Sequence, residues 1–83
     1  MKVYVVAARA FIENQTFERL CETRVYTDKD EAMKRFRWNE TGFYDWLREG
    51  DIDCRMARET DTRTVVWGWP YVCQVTIEEV EVS

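Results

Sequence analysis

Residues 2 to 12 read Lys-Val-Tyr-Val-Val-Ala-Ala-Arg-Ala-Phe-Ile, and alternation leaves apolar side chains on both sides of the segment. Val3, Val5 and Ala7 fall on one side, Tyr4, Val6 and Ala8 on the other. A strand of this kind must be covered twice or lie in the middle of a sheet. The chain has 83 residues and a mass of 10.0 kDa, which is material for one domain over 1–83.

The rest of the chain supplies neighbours for that strand. Glu13 to Thr16 is the natural turn, and Phe17 to Tyr26 reads as a second strand paired antiparallel with the first, with a bulge near Leu20-Cys21. Thr27-Asp28-Lys29-Asp30-Glu31 then marks a helix start: Thr27 with Asp30, or Asp28 with Glu31, forms a capping box, and the acids suit the positive end of the dipole. Asp30/Lys34 and Glu31/Arg35 stand four residues apart in the favourable orientation. Ala32, Met33 and Phe36 form the buried stripe, continued by Phe43 and Leu47. Asn39-Glu40-Thr41-Gly42 predicts a break, with a second short helix over 43–49 that ends at Gly50.

After Gly50 the period returns to two. Ile52, Cys54 and Met56 alternate with Asp53, Arg55 and Ala57, so a half-buried strand is expected there. Thr60 to Arg63 is a turn, Thr64 to Trp69 a strand, Pro70 a stop, and Tyr71 to Val82 the last strand, with a bulge expected at Glu78-Glu79. The order is ββα(α)βββ. It predicts an α+β two-layer sandwich, a mostly antiparallel sheet of about five strands with the helices on one face.

One helical layer shields one side of a sheet. Strand 1 and the valines at 65, 66 and 72 offer more apolar sheet than that, and large exposed apolar patches are rare on monomers. A homodimer or a protein partner is therefore expected on the second face. Trp67-Gly68-Trp69-Pro70-Tyr71 is the most unusual segment; two indoles share one side of a strand, and Gly68 leaves the other open to close approach. The candidate binding residues are Trp67, Trp69, Tyr71, Tyr4, Val6, Val66 and Val72. Packing of Trp67 and Trp69 against Phe36, Phe43 and Trp46 is the alternative use of the same rings.

Composition narrows the chemistry. There is no histidine, hence no ordinary general base or preferred zinc ligand. Cys21, Cys54 and Cys73 match neither a CxxC pair nor a zinc knuckle and are expected as small buried side chains in strands. Nothing forms a phosphate loop, a GxSxG elbow or an HExxH helix, so no enzyme, cofactor or metal site is expected. Sixteen acids against twelve bases give a net charge of −4, and residues 64 to 83 hold Glu78, Glu79 and Glu81 with no base. That balance argues against nucleic acid as a partner, though an acidic face suits docking on a basic, nucleic-acid-handling target. Arg48-Glu49, Arg58-Glu59 and Asp61-Thr62-Arg63 read as a self-neutralising surface. No segment reaches the length of an apolar membrane span and no cleaved signal is expected, which points to the cytoplasm.

Val25-Tyr26-Thr27-Asp28, then Glu31-Ala32 and Phe36, and the closing Ile77 to Val82, resemble many short bacterial and phage proteins built from a hairpin, a helix and a final acidic strand. The resemblance implies a small intracellular product of bacterial, phage or mobile-element origin, and it transfers no active residues. The functional expectation is a non-enzymatic protein-interaction module, an inhibitor or adaptor. The alternative is a small-ligand or nucleotide-binding domain that uses Trp67, Trp69 and nearby arginines.

Overall fold

A computed structural model describes residues 1–12 and 18–82. The elements are β1 (Lys2–Ile12), β2 (Glu18–Tyr26), α1 (Lys29–Glu49), β3 (Arg55–Thr60), β4 (Arg63–Gly68) and β5 (Tyr71–Glu81). They form a five-strand antiparallel sheet in the order β2-β1-β5-β4-β3, with one helix packed on it. The strand with apolar residues on both sides, β1, takes an interior position beside central β5, and the two pair without interruption from Lys2↔Glu81 to Ile12↔Tyr71. The turn expected over 13–16 lies outside the described residues.

Alternation divides the sheet into two faces. Val6, Ala8, Val66, Cys73 and Val75 are fully buried beneath α1, where they meet Ala32, Phe36 and Leu47. Phe43 packs against both halves of this core. Asp28 caps the helix, its carboxylate accepting the Asp30 amide at 2.9 Å. The pairing along the helix differs from expectation: Lys34 reaches Glu31 one turn back, and Arg35 leaves the helix surface to bind Glu22 on β2.

The helix runs through Asn39–Gly42 without a break, as one 21-residue element about 31 Å long. The polar pair that reads as a stop is an anchor. Asn39 and Glu40 are 6% and 3% exposed and turn toward the sheet. Asn39 Nδ2 donates to Glu22 at 2.8 Å and to the Arg35 carbonyl at 3.1 Å. Glu40 accepts the Thr64 hydroxyl and the Arg58 guanidinium, the latter at 3.0 Å. Burial of two polar side chains in mid-helix is tolerated because each makes hydrogen bonds to the sheet.

Further boundaries move for local reasons. Asp51 takes a left-handed φ of 57° just after the helix, and the chain from 51 to 54 is irregular, so β3 begins at Arg55 rather than at Ile52. A Cβ on Gly68 would lie 2.7 Å from Ile52 Cγ2 and 3.1 Å from the Asp53 carbonyl oxygen, so the close approach Gly68 permits is made by this chain's own backbone. No bulge interrupts β5 at Glu78-Glu79. Ile77 faces the helix and Val80, three residues on, pairs with Val3 on the other face, as unbroken alternation requires. The bulge expected near Cys21 is present, between the pairs Ala8↔Glu22 and Arg9↔Leu20.

The edge strands are β2 and β3. β3 has the sequence Arg-Met-Ala-Arg-Glu-Thr and is exposed except at Ala57, which protects that edge from pairing with another sheet. Among the described residues no helix is long and apolar enough to cross a membrane.

Candidate functional site

Trp38, Gly42 and Trp46 stand at i, i+4 and i+8 and therefore share one stripe of α1. The two indoles lie about 12 Å apart along the axis. They are 59% and 49% exposed, and beyond the helix's own backbone and the adjacent residues no described atom lies within 4 Å of where a Gly42 Cβ would be. The result is a notch with aromatic walls. It opens into a groove of about 650 Å³ between α1 and the Ala10–Ile12 end of β1, with Phe43 and Tyr71 along it and Cys21, Glu22 and Asn39 at one end.

Each wall is held in place. The Trp46 ring meets Tyr71 edge-on, with centroids 5.0 Å apart and planes at 67°. The Arg35 guanidinium sits 3.9 Å above the Trp38 ring. Arg35 also grips Glu22, as do Asn39 at 2.8 Å and Arg24 at 3.0 Å. The Arg35 hydrogen bond pulls the Glu22 carboxyl down to about 2 against the opposing effect of its burial, with Asn39 and Arg24 adding to the pull. Glu22 is thus a fixed, charged carboxylate and a structural brace. Burial pushes the Cys73 thiol up to about 12, which leaves it a core side chain.

The residues singled out from sequence separate into four places. Tyr71 lines the groove. Trp69 projects from the β4–β5 connection at 77% exposure. Trp67 and Val72 form a register pair on the face away from the helix, with Trp67 39% exposed. Val6 and Val66 are completely buried under α1 and Tyr4 packs half-buried beside Val6, so none of these three is on the open face. Across the hairpin Val66 pairs with Cys73 and Trp67 with Val72, which puts Trp67 and Tyr71 on opposite faces. Trp67 therefore points away from the side where Phe36 and Phe43 pack, and neither Trp67 nor Trp69 belongs to the core clusters.

The open face carries the expected apolar residues, but not as one sheet of them. Val3/Val80 and Val5/Val25 form one patch, and Val65, Trp67 and Val72 another. Gln74 and Thr76 of β5, in register with Arg9 and Ala7, run between them. The central strand breaks the patch.

The cysteines differ too: Cys73 is buried in a strand as expected, Cys21 is exposed and Cys54 half-buried outside any strand. The arginines pair more widely than their neighbours in sequence suggest, Arg58 with Glu40 and Arg63 with Glu59 at 3.0 Å each. Arg35 on Trp38 and Arg48 on Tyr44 are the cation–π contacts among the described residues, and neither involves the Trp67–Trp69 segment. Among the described residues no three acidic, cysteine or histidine side chains gather to hold a metal.

Comparison with protein-family models, with curated proteins and with solved structures finds no match for this chain.

Proposed function

We propose that the protein is a non-enzymatic binding module whose working surface is the Trp38–Gly42–Trp46 groove. Its occupant is a bulky apolar side chain presented by another polypeptide, and it acts by occupancy, as an adaptor or inhibitor does. The observation that carries this reading is Gly42. Glycine in the interior of a helix costs about 0.5–1 kcal/mol relative to alanine. The fold gains nothing from it here, since no described residue from another element approaches and its φ is not positive. What the missing side chain does is keep the space between two indoles open.

The surroundings fit the same role. A largely apolar groove with a few fixed polar groups at one end is the usual form of a recognition site, and aromatic side chains dominate binding hot spots. A cytoplasmic, reducing setting suits a chain with one thiol sealed in its core. A nucleotide site at Trp67 and Trp69 has less support, because the arginine–ring contacts lie elsewhere.

Trp67→Phe with Trp69→Phe leaves indoles only at 38 and 46, since the chain has four tryptophans. Titration of this variant with N-acetyl-4-bromophenylalaninamide, a heavy-atom quencher, should quench the remaining fluorescence saturably, and Gly42→Leu should abolish the effect. Linear, non-saturating quenching that Gly42→Leu leaves unchanged overturns the reading.

A further inference from the structure

We infer that the occupant of the groove is Trp69 of a second copy of this chain, exchanged reciprocally across a two-fold axis. This rests on the groove reading above and names its partner.

Trp69 is a knob without a hole of its own. At 77% exposure it is barer than either groove indole, and it is not among the residues that line the groove. Its base is firm: Gly68 before it is wedged against Ile52 and the Asp53 carbonyl, and Pro70 after it fixes the backbone. A knob held this way loses little freedom on docking.

Knob and hole are also neighbours. Tyr71, two residues after Trp69 and so within about 7 Å along the chain, packs on Trp46 in the groove. Adjacent complementary patches let one two-fold axis satisfy both insertions at once and close the assembly.

Charge and area agree with a second copy. Residues 64 to 77 contain no charged side chain, so the hairpin brings none of the net −4 into contact with its twin. An indole buries on the order of 200 Å² and covers a similar area of its pocket, so two insertions account for about 800 Å² before any rim is counted. With a rim the interface enters the small end of the specific range, about 1,200 Å², and the dimer is a weak one. Two other routes to a dimer are poorer here: β3 presents a charged edge, and Gln74 and Thr76 divide the open face.

The test is sedimentation equilibrium over a wide concentration range. The wild-type chain should pass from 10.0 kDa to twice that mass. Trp69→Ala removes the knob and Gly42→Leu fills the hole, and each should weaken association at least tenfold. Mixed together the two should form a heterodimer that neither makes alone, because one offers an open groove and the other an intact knob. Association unchanged by Trp69→Ala, or abolished by Val25→Lys on the open face while Trp69→Ala leaves it intact, overturns the proposal. Quenching of Trp69→Ala by the brominated amide separates the two readings. If the quenching saturates while self-association ignores Trp69, the groove stands and the second copy falls; if it does not saturate, both fall.

Discussion

Replacing Gly42 with alanine should make the protein more stable and less able to bind. The magnitude follows from local geometry: the backbone is ordinary right-handed helix, and nothing described outside that stretch of helix backbone and the adjacent residues lies within 4 Å of the new Cβ. The helix-propensity difference therefore has nothing to offset it, and the gain should be about 0.5–1 kcal/mol. For a domain of this size a kilocalorie moves the midpoint by about 4–8 °C, so thermal unfolding should shift up by about 2–8 °C. Urea unfolding followed at 222 nm should show a higher midpoint with an unchanged slope. Gly42→Leu should be stabilised to a similar extent and lose saturable quenching by the brominated amide. A loss of about 1 kcal/mol or more in Gly42→Ala would mean that the fold itself requires glycine there, and the inference that the notch exists for a ligand would collapse.

Gly68→Ala should act in the opposite direction, because its Cβ would sit 2.7 Å from Ile52 Cγ2 and 3.1 Å from a carbonyl that cannot move alone. Overpacking of that kind costs about 1–3 kcal/mol, measurable by the same urea curve, and a neutral result would refute the close approach. Arg58→Ala should leave the 4%-exposed Glu40 side chain with one remaining partner, Thr64, and lower stability by about 1–3 kcal/mol, with Glu40→Gln in the same background restoring part of it. Glu22 has its folded value lowered from 4.5 to about 2, so the stability it contributes is fully present above pH 4.5 and is lost as pH falls toward 2. The full linkage would be about 3 kcal/mol, reduced to about 1–2 by solvent screening, and Glu22→Gln should flatten the acid limb of the stability curve by that amount.

The order of elements was legible because each carried its own local signal. Alternation gave β1, β4 and β5, and Asp28 before Asp30-Glu31 gave the helix start that the cap hydrogen bond realises. The end of the notional first helix was not legible. Asn39-Glu40-Thr41-Gly42 has the composition of a stop, and the reason it does not stop lies on β2, β3 and β4, in Glu22, Arg58 and Thr64, which sequence alone does not bring near. The same local composition conceals the groove. With a break at Gly42 the residues Trp38, Gly42 and Trp46 belong to no common face; with a continuous helix their spacing of four aligns them. Which side of the sheet Val66 and Tyr71 occupy depended on counting phase through Trp69-Pro70, where the strand alternation is interrupted by a turn.

The groove's role as the working surface is tested most directly by a backbone and indole N–H chemical-shift map of Trp69→Ala titrated with N-acetyltryptophanamide. Perturbations should converge on Gly42, Phe43, Tyr71 and the indoles of Trp38 and Trp46, and should saturate together. Shifts centred instead on Val25, Val72 and Trp67, or none that saturate, would contradict the claim.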